Sequence, residues 1–218
     1  QHTRSHAYTA HERFLPSGPF AILPLHGEPK EAANRSSIVW TEHEDIVPSL
    51  MALADEDFAV ELARRFGTFL GDIEVVSPLY SYPLNLQFAK RNVDRRLVLI
   101  GDASHSIHPI AGQGLNMGLR DVAALAEVIV DAYRLGLDIG DDGVLKRYDK
   151  WRRFDNTVMI AATDLLNRLF SNDIAPLRLA RDAGLAIVNS IPPLKRQFMR
   201  HAMGLVGDLP KLLRGDPL

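Results

Sequence analysis

One stretch near the middle of the chain constrains the fold more than any other. The apolar run 97–100 ends at Gly101-Asp102, a polar glycine-rich loop follows over 103–114, and a helix is predicted over 115–135. A short apolar run of this kind is typical of a strand that is buried on both faces in a parallel sheet. Because open α/β sheets bind ligands at the carboxyl ends of such strands, this stretch predicts a ligand-binding edge.

The residues at this edge favour a flat, partly anionic ligand. The carboxylate of Asp102 can accept hydrogen bonds from the hydroxyl groups of a sugar or ribitol chain. Glycine lets the loop backbone approach a flat ligand, and the N-terminus of the following helix presents free N–H groups and a partial positive charge. These features indicate a site for a phosphate or for the N1–C2=O edge of a reduced flavin. The alternative is structural: Asp102 is then a plain turn residue, and the glycines serve close packing only.

The segments on either side predict a mixed fold. Runs of aromatic or β-branched residues between proline and glycine turns indicate strands. The predicted strands are 5–9, 20–25, 37–41 and, as one or two edge strands, 75–88. Apolar residues at helical spacing indicate helices. Besides 115–135, the predicted helices are Pro48 to about Phe66, 144–170, 175–190 and 194–206.

The helix at 115–135 is predicted to be amphipathic. Its predicted apolar stripe consists of Leu119, Val122, Ala126, Ile129 and Tyr133. The residues predicted to face water are Arg120, Asp121, Glu127 and Asp131. Further along, Trp151-Arg152-Arg153 is predicted to be a solvated helix face with one aromatic ring packed inward.

Charge and composition exclude several classes of protein. The 25 Lys and Arg residues nearly balance the 27 Asp and Glu residues, and the net charge of -2 argues against a nucleic-acid-binding protein. The absence of cysteine excludes disulfides, thiolate metal sites and a cysteine nucleophile. No apolar run reaches the length of a membrane span and no signal peptide is visible, so a cytoplasmic protein is expected. His105 and His108 lack a third ligand, so no metal site is predicted.

The central stretch resembles the signature of a known enzyme family. Gly101-Asp102-Ala103-Ser104-His105, followed by the run 108–121, is similar to the flavin-edge motif of class A FAD-dependent aromatic hydroxylases. More narrowly, it resembles the hydroxylases of ubiquinone biosynthesis, which act on polyprenylated phenols. The run 13–25 resembles the strand-turn-strand part of that family's substrate domain. One position departs from the pattern, because Ser104 stands where the family more often has alanine, and we expect this change to be tolerated.

The resemblance implies an α+β fold of the α/β family, in three parts. These are part of a β-rich substrate-binding domain over 1–93, a returning segment of a Rossmann-like FAD/NAD(P)-binding domain over 94–136, and a C-terminal helical region over 137–218. The family's G-x-G-x-x-G unit and its second Asp-Gly motif do not occur in this sequence. We therefore expect the chain to be part of a longer protein and, by itself, to bind FAD weakly and to be inactive.

The resemblance also implies a chemistry. NAD(P)H reduces FAD, dioxygen adds at flavin C4a, and the resulting hydroperoxide hydroxylates a phenol ring, so no side-chain nucleophile is required. Asp102 would bind the ribitol, and amides at the start of the helix would stabilise charge on the reduced ring. The implied cofactor-binding residues are Gly101, Asp102, Pro109, Ala111, Gly112, Gly114, Leu115 and Asn116. The implied flavin-edge loop is Pro109, Gly112, Gln113 and Gly114. An apolar wall for the substrate is implied at Phe20, Ile22 and Pro24.

The expected partners follow from the prenyl tail of such a substrate. Lys195, Arg196 and Arg200 lie among Leu194 and Phe198, and a basic amphipathic helix of this kind can lie on an anionic membrane surface. Such a helix would allow peripheral contact with the inner membrane, and other ubiquinone-biosynthesis proteins are further candidate partners. Base rates favour the other interpretation of the segment, an ordinary helix packed on its domain. Two other functions stay open: a flavin hydroxylase of another aromatic compound, and a non-catalytic scaffold protein.

Overall fold

The computed structural model describes residues 1–26, 34–107, 112–170, 184–202 and 207–218. The chain packs as two compact units, one built on residues 1–83 and the other on residues 84–169 with the described C-terminal residues. Each unit has its own hydrophobic core. None of the helices in the described ranges is long and apolar enough to cross a lipid bilayer.

The first unit contains a three-stranded antiparallel sheet. Its strands β1 (His11–Leu15), β2 (Gly18–Pro24) and β3 (Ser36–Trp40) pair in chain order. The turn between β1 and β2 requires glycine, since Gly18 has a φ of +129° and a Cβ there would lie 2.7 Å from Thr41 Cγ2. The strands predicted at 20–25 and 37–41 are confirmed within one or two residues.

Alternation along β2 decides which residues of the first unit form its core. Phe20 and Ile22 point to the side that is packed with helix residues, and both are fully buried. The rest of this core comes from Phe58, Leu62, Phe66 and Leu70. On the opposite face of the sheet, Leu23 and Val39 are each 39% exposed. The sheet therefore has one face packed on a core and one open, partly apolar face.

The single helix predicted from Pro48 to Phe66 forms as two helices, α1 (Val47–Met51) and α2 (Asp55–Phe66). The backbone of Ala54 is extended, with φ -63° and ψ 153°, and it begins a second helix. Three acidic residues in the first turn of α2 and Arg64 and Arg65 in its last turn complement the helix dipole. The local charge pattern thus favours a new helix start at Asp55.

Two strand predictions are wrong, wholly or in part. Residues 5–9 form turns, because Ala7 and Tyr8 take φ values of 48° and 55°, which no extended strand allows. In the segment 75–88 only β4 (Gln87–Phe88) is a strand. Prolines at 78 and 83 cannot donate to a strand ladder, which explains why the rest of that segment stays unpaired.

The second unit is mainly helical. Its two long helices are α3 (Gln113–Arg134) and α4 (Asp142–Phe170), which enclose a core of Ala124, Val128, Ala132, Val144 and Tyr148. Shorter helical segments follow at 184–190, Pro192–Ala202 and Lys211–Arg214. Parts of the helices predicted at 175–190 and 194–206 lie outside the described residues.

The buried parallel strand predicted at 97–100 is wrong. The strand β6 (Leu97–Val98) is short and pairs antiparallel with β5 (Val93–Asp94). A tight turn at Arg95-Arg96, with Arg96 at φ 55°, folds the chain back on itself. Leu97 is therefore 54% exposed rather than buried. A second small antiparallel pair joins β4 to β7 (His105–Ser106).

The predicted amphipathic pattern of α3 is also wrong. Asp121 is fully buried and Arg120 nearly so, whereas Leu119 and Val122 are about half exposed and Tyr133 is mostly exposed. The face that packs inward carries a different set of residues at helical spacing: Met117, Asp121, Ala124, Val128 and Ala132. Likewise Arg152, predicted to be solvated, is 1% exposed.

The structure groups the chain differently from the three predicted parts. Residues 94–136 and 137–169 belong to one compact unit, and that unit begins at residue 84. The family division at residues 93 and 136 stays a prediction.

Candidate functional site

The Gly101-Asp102 turn presents an available carboxylate. Residues Gly101–Ala103 form a single 3-10 turn, and Gly101 has a φ of +56°, which glycine adopts without strain. The side chain of Asp102 is exposed and makes no hydrogen bond or ion pair with any residue that the structure describes. A carboxylate held at the apex of a turn without a protein partner can accept hydrogen bonds from ligand hydroxyl groups.

The N-terminus of α3, like the Asp102 turn, has features that suit ligand binding. Gly112 precedes the helix in the left-handed conformation, at φ 60°, and as a glycine it supplies no side-chain cap to the helix N-terminus. The first turn contains no acidic residue. A Cβ placed on Gly112 or on Gly114 would meet no atom of the described residues within 4 Å. The backbone here offers N–H groups and a partial positive charge.

Close packing of backbone on backbone joins the turn to the helix. A Cβ on Gly118 would lie 3.5 Å from Gly101 Cα, and one on Gly101 would lie 3.8 Å from Gly118 Cα. Gly118 lies about 7.5 Å along the helix axis from Gln113. The Asp102 turn therefore packs directly on α3, close to the N-terminus of that helix.

The other predicted flavin-edge residues differ in their placement. Pro109 and Ala111 lie outside the described residues. Gln113 is buried, and its Oε1 accepts a hydrogen bond of 3.4 Å from Asn116 Nδ2, so its side chain supports the helix start. Leu115 is 74% exposed. Their predicted contacts with flavin stay predictions.

Beneath the turn lies a buried network of charged residues centred on Asp121. The Oδ2 atom of Asp121 accepts the Gly101 N–H at 3.0 Å and the His105 Nε2–H at 2.7 Å. Its Oδ1 atom accepts from Arg152 Nε at 2.7 Å and from Asn156 Nδ2 at 3.4 Å. Both oxygens of this buried carboxylate are thus fully used, as burial of a charge requires.

The network keeps Asp121 ionised. Burial acts to raise the pKa of Asp121, but hydrogen bonds from His105, Arg152 and the Gly101 amide outweigh it and hold that pKa below its ordinary value. Because an ionised carboxylate only accepts hydrogen bonds, Nε2 of His105 carries a proton. Nδ1 of His105 is buried and has no hydrogen-bond partner among the described residues. His105 therefore braces the turn through its Nε2–H.

The unusual Ser104 is accommodated by its neighbours. Its side chain is buried, and its hydroxyl donates to Asn92 Oδ1 at 2.8 Å. The Ser104 amide also donates to Gly101 O at 2.9 Å, which closes the turn. Because the buried hydroxyl is satisfied, serine fits where the family more often has alanine.

Sequence reasoning missed Asp121 and Arg152 as parts of the site. Both were assigned to solvated faces because they are charged. The available signal is their spacing, since Asp121 recurs with Met117, Ala124 and Val128 on one face of a helix. A charged residue in such a stripe must have a buried partner, and a charge on another helix is the natural candidate.

The predicted substrate residues lie in the first unit. Phe20 and Ile22 are fully buried in its core, and Pro24 is partly exposed at the end of β2. Their predicted contact with substrate stays a prediction. The accessible apolar side chains of this sheet are Leu23 and Val39, on the other face.

The residues present fit the ribitol chain and ring edge of FAD. The fit rests on three features of the described residues: an Asp102 carboxylate without a partner among them, glycine backbone at 112 and 114 that none of them crowds, and a first helical turn without acidic side chains that would repel negative charge. Within the described ranges, no three His, Asp or Glu side chains cluster closely enough to hold a metal ion.

Comparison with known proteins supports the same cofactor. The model of the FAD binding domain family matches residues 4–161. The chain is 57% identical over its full length to "Ubiquinone hydroxylase UbiL" of Rhodospirillum rubrum, covering 50% of that protein. It is 39% identical to the "3-demethoxyubiquinol 3-hydroxylase" of Escherichia coli, with 89% of this chain and 48% of that protein covered.

A human relative and a solved structure extend the comparison. "Ubiquinone biosynthesis monooxygenase COQ6, mitochondrial" of Homo sapiens is 35% identical, with 88% of this chain and 47% of that protein covered. The crystal structure of pqsL, "a probable FAD-dependent monooxygenase from Pseudomonas aeruginosa", superposes with a TM-score of 0.60 at 20% identity, covering 78% of this chain and 47% of that one. At that identity the likeness concerns the fold alone. The chain spans about half the length of each of these proteins.

Proposed function

Because the chain belongs to the FAD binding domain family, we propose that the protein is an FAD-dependent monooxygenase that hydroxylates the aromatic ring of a polyprenylated phenol in ubiquinone biosynthesis. The observation that carries the proposal is the exposed Asp102 carboxylate, which has no partner among the described residues and lies on a turn packed against helix α3. NAD(P)H and dioxygen are the proposed co-substrates.

The chain's own residues would bind and orient the cofactor. Bound FAD supplies the redox chemistry, from reduction by NAD(P)H to the activation of dioxygen. Asp102 accepts hydrogen bonds from ribitol hydroxyls and so fixes the cofactor along its length. The amides at the start of α3 stabilise negative charge at the edge of the ring, as preorganised dipoles do at other sites of developing charge. Neither role requires a side-chain nucleophile.

The substrate class rests on the relatives and on the first unit. The relatives from Rhodospirillum rubrum, Escherichia coli and human carry names that refer to ubiquinone or ubiquinol. The open face of the sheet, with Leu23 and Val39, offers apolar surface of the kind that an aromatic substrate with a prenyl tail would contact. A flavin hydroxylase of another aromatic compound is the competing function within the same family.

The test uses the purified protein after incubation with FAD, and its flavin content is measured first. Prenylated and unprenylated phenols are supplied with NADH or NADPH under 18O-labelled dioxygen, and the products are analysed by mass spectrometry. We expect one labelled oxygen atom on the ring of the prenylated phenol. Hydroxylation of unprenylated phenols only would favour the competing hydroxylase, and flavin-free protein without turnover would favour a scaffold.

We also propose that the protein contacts an anionic membrane surface through the helix Pro192–Ala202. Every residue in the range 191–200 is exposed. Phe198 is 58% exposed and Met199 is 51% exposed, while Lys195, Arg196 and Arg200 supply positive charge without an acidic residue in the helix. Exposed apolar and basic side chains on one helix match the chemistry of an anionic lipid interface.

A further inference from the structure

We propose that Asp121 is a positioning residue for the flavin, because its buried carboxylate fixes the turn that presents Asp102. The inference rests on the proposed function in one respect, namely that FAD is the ligand of Asp102. It assigns a role to a residue that lies deep in the second unit and is itself inaccessible to any ligand.

The hydrogen bond to the Gly101 amide carries this inference. Gly101 directly precedes Asp102 and is the hinge of the 3-10 turn, with a φ of +56°. Its N–H is held at 3.0 Å by Asp121 Oδ2, and the Asp121 side chain is 0% exposed. A rigid acceptor on a long helix thereby sets the position of the backbone at Gly101 and hence the direction in which Asp102 points.

The remaining members of the network hold that acceptor in place. Arg152, which is 1% exposed, approaches Oδ1 of Asp121 at 2.7 Å, and His105 approaches Oδ2 at the same distance. Arg152 also donates to Asn156 Oδ1 at 2.8 Å and to Asp155 Oδ2 at 2.7 Å. The carboxylate of Asp121 therefore has one orientation, in which the oxygen nearest the turn serves both His105 and Gly101.

The substitution Asp121→Asn separates positioning from packing. Asparagine has nearly the same shape as aspartate, but it has a single acceptor oxygen. The positively charged Arg152 would attract that oxygen, and the amide nitrogen would then face the N–H of Gly101. The turn loses its acceptor without a cavity being made.

A matched control exists in the same network. Asp155 also accepts from Arg152, but it does not contact the turn. The variant Asp155→Asn removes one carboxylate charge from the surroundings of Arg152 and leaves the Gly101 hydrogen bond intact. Any effect that arises only from general destabilisation of the network should appear in both variants.

The experiment measures FAD affinity of the apoprotein prepared from the holoenzyme, by fluorescence titration, together with the visible circular dichroism of the bound flavin and Tm. We expect Asp121→Asn to weaken FAD binding at least tenfold and to change the dichroism of the residual bound flavin. Asp155→Asn should stay within twofold of the wild-type Kd even where its Tm falls. FAD affinity within twofold of wild type in folded Asp121→Asn would overturn the proposal, as would equal losses in the two variants.

A second pair of variants tests the positioning role of Asp121 if Asp121→Asn does not fold. His105→Leu removes the donor to Asp121 Oδ2, whereas His105→Gln keeps an N–H donor. We expect weaker FAD binding in His105→Leu and recovery of at least half of that loss, on a logarithmic scale, in His105→Gln. Equal Kd values for the two would count against the proposal. All of these readouts are flavin binding, so a failure of phenol hydroxylation would reject the proposed function and leave this inference standing.

Discussion

At the scale of single residues, the site is organised by a charge that no ligand touches. Asp121 and Arg152 are both almost completely buried, a condition that costs free energy unless every polar atom is paired. Here the two oxygens of Asp121 accept from four donors. The network therefore gives the Gly101 turn a fixed support, at the risk of a large loss of stability when one member is removed.

The first prediction compares the loss of stability when each of two neighbouring arginines is replaced. Arg152→Met should lower the free energy of unfolding by about 3–5 kcal/mol, because it leaves the buried Asp121 carboxylate without its cation. Arg153→Met is the control, since Arg153 is exposed and pairs with Asp149 at the surface. It should cost less than about 1 kcal/mol. Urea unfolding of both variants checks this, and similar losses in the two would contradict the buried network.

A second prediction concerns the free energy of unfolding at low pH. The pKa of Asp121 is lowered in the folded state from its ordinary value of 3.8, so its contribution to stability is complete above that value. The contribution is lost as the pH falls through the lowered folded-state pKa. We expect the difference in unfolding free energy between wild type and Asp121→Asn to shrink below about pH 4. Urea titrations over a pH series measure it, and a difference that grows towards low pH would contradict the assignment.

At the scale of secondary-structure elements, α3 explains which parts of the site the sequence could predict. The helix and the preceding Gly-Asp turn are local features, marked by glycines and by an apolar repeat, and both were predicted within about two residues. The buried face was not predictable in the same way, because two stripes of α3 recur at helical spacing. The stripe with Leu119, Val122 and Tyr133 is the exposed one. Packing against α4 and the Gly101 turn selects the stripe that contains Asp121.

The structure of the run 97–100 likewise could not be predicted from the local sequence. An apolar run of four residues is compatible with a buried parallel strand and with a short antiparallel hairpin. The turn at Arg95-Arg96 selects the hairpin. That turn has no glycine, asparagine or proline to mark it, so the sequence contained no strong turn signal.

The helix Pro192–Ala202 gives the third prediction. Phe198→Ser should reduce co-sedimentation of the flavin-loaded protein with vesicles that contain anionic lipid, because it removes the most exposed aromatic side chain of the helix. Val60→Ser is the matched control, since Val60 is 53% exposed on α2. Arg196→Gln combined with Arg200→Gln should weaken binding at least about tenfold, at roughly 1 kcal/mol per charge. Binding that is unchanged in these variants would reject the helix as the membrane contact.

At the scale of the whole molecule, the predicted roles divide between the two units. The predicted cofactor-binding residues that the structure describes belong to the second unit, and the predicted substrate residues belong to the first. Composition and the family signature indicated this division of roles, but they could not indicate that Phe20 and Ile22 are core residues. Burial of a strand residue depends on which face a helix covers, and that is decided by tertiary packing.

Asp102 is the residue on which the proposed flavin site depends, and the affinity of the apoprotein for FAD tests its role most directly. Asp102→Asn should raise the Kd at least tenfold, equivalent to about 1.4 kcal/mol, because it weakens the hydrogen bonds that ribitol hydroxyls donate to the carboxylate. Asp57→Asn, at an exposed aspartate of α2, should leave the Kd unchanged. The same FAD affinity in Asp102→Asn and Asp57→Asn would contradict the assignment of the Gly101-Asp102 turn as the flavin site.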